Sequence, residues 1–144
     1  MSGITGRNAK ADTGATRLTG MKVQTTVLGR AVPWVFGTNR VAPNIIQYDD
    51  FQAIEKKEKQ GGKGGGGSST SYEYRAAVIM AICRGPVAGI GQIWADKKKH
   101  SLSSLSLDFY VGSDTQTAHP HWATNHASRA LPYRNLAYVA KASM

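Results

Sequence analysis

A glycine-rich tract near the middle of the chain constrains the fold more than any other feature. Residues 60–71 read QGGKGGGGSSTS, and no side chain in this tract can fix a backbone conformation. The tract therefore joins two separate strand-rich blocks. The charged residues 55–59 before it and the Tyr- and Arg-containing residues 72–75 after it predict the two arms of a long hairpin, or of an inserted loop that crosses a surface.

The block before the tract carries three short strand patterns. Residues 21–27 alternate apolar and polar side chains with the two-residue period of a half-buried strand. Residues 32–36 predict a second extended piece at a sheet edge or at a strand start, because Pro33 has no amide donor. Residues 44–48 predict a third strand, which Asp49-Asp50 should end.

The block after the tract begins with the most apolar segment. Residues 74–83 carry apolar groups on both faces beyond Arg75, which predicts a central strand covered on both sides. A buried helix of this length would share the pattern, but Tyr, Val and Ile enrichment and the glycine flanks favour a strand. Gly85-Pro86 should close it with a left-handed turn.

The C-terminal third predicts further short elements. Residues 89–96 read as a returning strand with the exposed tip 96–99, and residues 105–111 as another strand. Residues 115–130 have room for one short helix, and residues 136–140 form a final strand near the end of the chain. A chain that ends on an apolar strand often lacks the next strand of its sheet. We therefore expect this final strand to be unpaired and free to join a sheet of another subunit.

Together these patterns predict a mainly β fold, either a twisted antiparallel sheet or a partly open barrel, with a long glycine-rich loop and at most one short helix. Residues 1–20 have only Ile4 and Leu18 as sizeable apolar groups, so they predict a flexible, extended N-terminal arm. Residues 21–144 then form one β-rich domain, interrupted by the loop at 60–71.

The positive net charge of the chain favours an interaction with an anionic partner. Eighteen Lys and Arg against nine Asp and Glu give a net charge of +9, spread evenly along the sequence. The dense runs at 56–59 and 97–99 lie beside turn-like sequence, which favours solvated loops over phosphate-binding patches. Tyr72 and Tyr74 beside Arg75 could stack on bases, although tyrosines at a strand start more often pack in a core or interface.

Few residues suggest a catalytic or metal-binding site. His119, His121 and His126 with Asp114 form the one metal-ligand pattern, and an H-x-H pair on an extended segment would place both imidazoles on one side. Without a thiolate or a second carboxylate nearby, surface or packing histidines are the favoured interpretation, and a metal on a trimer axis or a structural metal is the alternative. Cys83 lies in the apolar strand, where thiols are usually inert, and Asp49-Asp50 should point to opposite faces. We therefore predict no catalytic, metal or cofactor site, and no cofactor.

Targeting signals are equally sparse. The longest apolar-leaning run, residues 75–83, is far shorter than the roughly 20 residues that a membrane-spanning helix needs. The N-terminus lacks the apolar stretch of a secretory signal. A single cysteine cannot form an internal disulfide, so stability must come from packing or from partner chains.

An ordered set of local patterns resembles the N-terminal region of tail-tip hub proteins of long-tailed phages and gene transfer agents, the family of the lambda-type host-specificity protein J. The resemblance covers about residues 21–140. The patterns are VQT at 23–25, PWVFGTNRV at 33–41, QGGKGGGG at 60–67, YEY at 72–74, CRGPVAGIG at 83–91, WAD at 94–96, FYVGS at 109–113 and LPYRNLAYV at 131–139.

The resemblance implies a structural role rather than turnover. In that family the hub is a trimer of β-rich domains that closes the distal tail tube and links it to the central fibre or spike. The implied partners are copies of this chain, the distal tail protein, the tail tube and the fibre or spike, with transient contact to exiting DNA. The implied location is the distal tail of a virion assembled in the host cytoplasm, with a role in host attachment and genome ejection.

The chain differs from the family in two respects. Arg84 stands where members usually carry an acidic residue, and members are typically many hundreds of residues long. We expect either a naturally short chain completed by others or the N-terminal fragment of a longer hub protein. The competing classes are a basic nucleic-acid-binding module, and a small enzyme for which no feature names an activity.

Overall fold

The computed structural model describes residues 31–59 and 68–142. They form a mainly β fold with one short α-helix, as the sequence predicts. The predicted arm at 1–20, the predicted strand at 21–27 and residues 60–67 of the glycine-rich tract lie outside the described residues. In chain order the elements are β1 Asn44–Lys59, β2 Ser68–Arg84, β3 Ile93–Ala95, β4 Lys98–His100, β5 Asp108–Tyr110, α1 Pro120–Asn125, a 3-10 turn Ala127–Arg129 and β6 Leu136–Lys141.

Four strands form one open antiparallel sheet in the order β1-β2-β6-β5. β1 and β2 are the long hairpin arms predicted from the flanks of the glycine-rich tract, and they pair from Asn44↔Ala81 outward to Lys57↔Thr70 and beyond. Two further strands, β3 and β4, form a separate hairpin. A helix long and apolar enough to cross a membrane is not found in the described ranges.

β1 continues through the point where the sequence predicts its end. The register with β2 shifts between Asp49 and Gln52, and Asp50 adopts a left-handed φ of 54°. This is a β-bulge: the extra residues bend the strand locally and pairing then resumes. Asp is one of the few side chains that tolerate such a φ, which explains why the pair interrupts the strand without stopping it.

β2 is the central strand that its apolar run predicts. It pairs with β1 on one side and, from Val78 to Arg84, with β6 on the other. Consecutive residues in its middle are buried, with Val78 1% and Ile79 2% exposed, so both faces are covered. The strand ends at Arg84, and the next residue, Gly85, has a φ of 82°, which is the left-handed turn expected there.

β6 is not the unpaired final strand that we expected. It lies between β2 and β5 and pairs with both, so its four inner residues, 137–140, are buried. In the described sheet the outermost strands are β1 and β5 instead. β5, which precedes β6 in the chain, supplies this second partner.

Several predicted strands are shorter than expected. The region 89–96 contributes only β3, which turns through Asp96 and Lys97, both with positive φ, and pairs with β4 rather than with the main sheet. Positive φ at both central residues is the two-residue turn that suits a hairpin twist. In the region 32–36 the structure has a single parallel bridge between Trp34 and Arg84.

The core is centred on one aromatic residue from the helix and one from the last strand. Trp122 of α1 is 1% exposed and Tyr138 of β6 is fully buried. They belong to one cluster with Ala77, Ile79 and Ala140, flanked by Ile46, Tyr110, Ala130 and Tyr133. Tyr110 stacks on Tyr138 with ring centroids 4.4 Å apart. The core therefore fixes α1 against the sheet, and with it the histidines at both helix ends.

Candidate functional site

The short helix begins with a histidine cap. His119 Nδ1 accepts a hydrogen bond of 3.1 Å from the His121 backbone N–H, and Pro120 occupies the first turn, where its missing N–H costs nothing. In the neutral ring the proton then lies on Nε2, which donates to Asp108 Oδ2 at 3.0 Å. Both nitrogens of this buried ring are used, so His119 has a structural role.

Two other histidines converge on one carboxylate. His121 Nε2 lies 2.7 Å from Asp50 Oδ2, and His126 Nε2 lies 2.9 Å from Asp50 Oδ1. His121 belongs to α1, and His126 is the residue that ends it. We call Asp50, His121 and His126 the bulge cluster. One ligand atom from each residue lies within 4.8 Å of the other two, a spacing compatible with one shared ion.

The electrostatics of the bulge cluster centre on Asp50. The hydrogen bond from His121 holds the pKa of the Asp50 carboxyl below its ordinary value, with a further contribution from His126, although partial burial acts in the opposite direction. The cluster is therefore an ionised carboxylate between two imidazoles. Its side chains are 21% (His121), 25% (His126) and 35% (Asp50) exposed, so solvent reaches all three.

The neighbouring carboxylate has a different environment. Asp49 is buried, and its Oδ2 accepts hydrogen bonds from Trp122 Nε1 at 2.8 Å and from Gln47 Nε2 at 3.0 Å. Its Oδ1 pairs with Arg129, which follows the helix. This network fixes the bulge relative to α1, so that Asp50 is held opposite the two histidines.

The structure brings together only part of the His and Asp pattern that the sequence singles out. His121 and His126 come together, but His119 points to Asp108 and Asp114 lies exposed on a turn. The H-x-H prediction is wrong because the chain becomes helical at Pro120, so the two rings do not share the side of an extended strand. The prediction that Asp49 and Asp50 face apart is also wrong, since the bulge brings both carboxylates to α1.

The sequence gives no direct indication that Asp50 is the third member of the bulge cluster. It precedes His121 by 71 residues, and its direction depends on a bulge that is set by tertiary packing. The one available hint was two consecutive aspartates inside an otherwise strand-like segment, which is where a bulge is tolerated.

The remaining singled-out residues form no second convergent site in the described structure. Cys83 is 1% exposed, and burial raises the pKa of its thiol. Tyr74 stacks between Phe51 and Tyr72, at centroid distances of 5.8 and 6.3 Å. Arg75 and Lys56 both pair with Glu73, whereas the basic run 97–99 is exposed on the β3–β4 hairpin.

Comparison with known proteins finds no match: no family model, no curated protein and no solved structure matches this chain.

Proposed function

We propose that this chain is a structural component of a phage tail tip. In this role it belongs to the hub that closes the distal tail tube and connects it to the central fibre or spike, and it acts in host attachment and DNA delivery. The proposal rests on the ordered sequence patterns that resemble such hubs and on a mainly β fold with projecting parts suited to assembly.

The outer part of the β1–β2 hairpin is the observation that carries the proposal. From Gln52 to Lys59, β1 pairs with β2 beyond the region where β6 flanks the sheet. At about 3.4 Å per residue, this two-stranded ribbon extends about 27 Å. An isolated two-stranded ribbon is marginally stable in water, so a partner surface would stabilise it. A subunit of a ring-shaped hub has such a surface on its neighbour.

Exposed aromatic side chains support contact with other subunits. Trp34 is 65% exposed and Phe36 is 82% exposed, both on the segment before β1. Large apolar groups in water mark interaction surfaces when they cluster. The Gly37 turn and the Asn39 side chain, which donates to the Phe36 carbonyl at 2.9 Å, hold this segment in a defined shape.

In the proposed assembly the chain is a homotrimer. It contacts the distal tail protein, the tail tube and the fibre or spike at the end of the virion tail, and exiting DNA passes it transiently. The role requires no enzymatic turnover. A symmetric ring can use the β5 edge and the ribbon as repeated contacts between neighbours.

Copy-number mass spectrometry on purified phage or tail-like particles from the source tests the proposal. We expect this 15.5 kDa chain, or a longer chain containing its peptides, at a small multiple of three per particle. Antibody labelling should mark the distal tail end. Absence of these peptides from particles would overturn the proposal.

A basic nucleic-acid-binding module is the second candidate, and the β3–β4 hairpin favours it. Lys97, Lys98 and Lys99 are exposed at its tip, and Trp94 beside them is 42% exposed with Arg40 stacked 4.6 Å from its ring centroid. An aromatic face beside cations suits single-stranded nucleic acid.

Salt dependence separates the two candidates. A binder loses affinity for single-stranded DNA steeply as salt rises, because neutralised phosphates release counterions. Replacing the three hairpin lysines with glutamine should weaken that binding, whereas Lys141→Gln should leave it unchanged. Absence of binding at physiological salt would exclude this second candidate.

A further inference from the structure

We propose that the bulge cluster binds one divalent transition-metal ion of the Zn²⁺ class. The cluster offers two imidazole nitrogens and one carboxylate, from Asp50, His121 and His126, with one ligand atom of each within 4.8 Å of the other two. These donors come from two segments that are far apart in sequence, so an ion bound there would link the β1 bulge directly to the end of α1.

The geometry is close to that of a metal centre. A tetrahedral ion about 2.0–2.2 Å from each donor separates neighbouring donors by roughly 3.3 Å. The present hydrogen-bonded separations of 2.7 Å and 2.9 Å from Asp50 to His121 and His126 are slightly shorter. In each of these two pairs the carboxylate and the imidazole therefore need to move apart by about half an ångström when a metal replaces the shared proton.

Each imidazole can present Nε2 to the ion in its neutral form, with the proton on Nδ1. For His121, the carboxamide of Asn125 lies beside Nδ1, with Nδ2 3.3 Å away. Rotation of that carboxamide would turn its oxygen toward Nδ1, where it would accept a hydrogen bond from the Nδ1–H group. A neighbouring acceptor of this kind orients metal-bound histidines in proteins.

The donor set selects the class of metal. Two imidazoles and one carboxylate suit Zn²⁺, Co²⁺, Ni²⁺ and Cu²⁺, whereas Mg²⁺ and Ca²⁺ prefer oxygen ligands alone. The partly exposed cluster gives an ion access from solvent, and water completes the coordination. The Asp49–Trp122 hydrogen bond holds both sides of the cluster in place without the ion.

Metal binding at this cluster would stabilise the fold by mass action, because the unfolded chain lacks the assembled donors. It is independent of the proposed tail-tip role, so either proposal can fail alone.

The test is a titration of the full chain, purified without a histidine tag, with Zn²⁺ by calorimetry and with Co²⁺ by visible absorption. We expect one ion per chain. His121→Gln, His126→Gln and Asp50→Asn should each weaken binding at least about tenfold, because each removes one of three ligands. His100→Gln is the matched control, since His100 lies on β4 outside the cluster, and it should bind like the wild type.

A second measurement does not depend on the variants folding. In the wild-type chain, Zn²⁺ should shift the imidazole NMR signals of His121 and His126, and those of His100 should stay unchanged. Equal shifts at His100, no binding of either ion, or equal affinity in folded cluster variants and His100→Gln would each overturn the proposal.

Discussion

The indole nitrogen of Trp122 donates a hydrogen bond of 2.8 Å to Asp49 Oδ2, and both side chains are buried. Asp49→Ala should lower the free energy of unfolding by about 2 kcal/mol or more, because the buried indole N–H loses its acceptor. Asp49→Asn keeps an acceptor oxygen for Trp122 and should cost less. Urea unfolding followed by far-UV circular dichroism measures both. Equal stability of the alanine variant and the wild type would contradict a structural role for this bond.

Gly112 is the glycine with the least space around it among those described. It has a φ of 89°, and a Cβ there would lie 2.6 Å from the Gly85 carbonyl oxygen and 2.8 Å from the Ala137 nitrogen. Gly112→Ala should therefore destabilise the fold by about 3 kcal/mol or more, from left-handed strain plus backbone overlap.

Gly37→Ala is the matched control. Gly37 also has positive φ, but a Cβ added there would meet no atom within 4 Å beyond its chain neighbours in the described structure. It should cost only about 1 kcal/mol, from backbone strain alone. Thermal unfolding of the two variants compares them, and equal losses would show that close packing at Gly112 does not matter.

Tyr138 has a buried hydroxyl with no hydrogen-bond partner in the described structure, whereas the Tyr133 hydroxyl donates to Gln47 Oε1 at 2.8 Å. Removing an unpartnered hydroxyl relieves its desolvation, so Tyr138→Phe should leave stability unchanged or raise it by up to about 1 kcal/mol. Tyr133→Phe should lower it by about 1 kcal/mol, because it leaves the glutamine oxygen unpaired. Chemical denaturation of both variants tests the contrast, which would be refuted if Tyr138→Phe were the less stable of the two.

The same tyrosines predict the response to alkali. Burial raises the pKa of Tyr110, Tyr133 and Tyr138 above the ordinary value of 10.0. The folded state therefore holds these protons more tightly than the unfolded chain, so their contribution to stability is complete below about pH 10 and is lost as the pH rises further.

We expect the free energy of unfolding to fall as the pH rises from about 10 to about 12, and to fall less in Tyr138→Phe. Denaturation at several pH values measures the stability, and phenolate absorbance follows ionisation. Ionisation of all the tyrosines near their ordinary pKa, without loss of structure, would contradict the burial of these phenols.

The elements that sequence reasoning predicted are those that local pattern determines. β2 was predictable because its apolar run covers both faces, and the left-handed turn at Gly85 because glycine permits it. The bulge at Asp50 was not predictable, since its left-handed φ depends on contacts with a helix 71 residues later. The pairing of β6 was missed for a related reason. The strand pattern of residues 136–140 does not reveal whether a second strand, here β5, pairs beside it.

Cys83 offers a test of the central strand. Its side chain lies on β2 and is 1% exposed, and burial raises its thiol pKa, so little reactive thiolate forms. Alkylation of Cys83 in native buffer at about pH 8 should be at least about 100-fold slower than alkylation of an accessible thiol. The reason is that the reagent reaches Cys83 only when the strand opens locally. The comparison is the thiol introduced by Ala142→Cys in a Cys83→Ala background, since Ala142 is exposed. Mass spectrometry follows both reactions, and complete reaction of Cys83 in denaturant checks the reagent. If Cys83 reacted as fast as the introduced thiol in native buffer, β2 would not be the covered centre of the sheet.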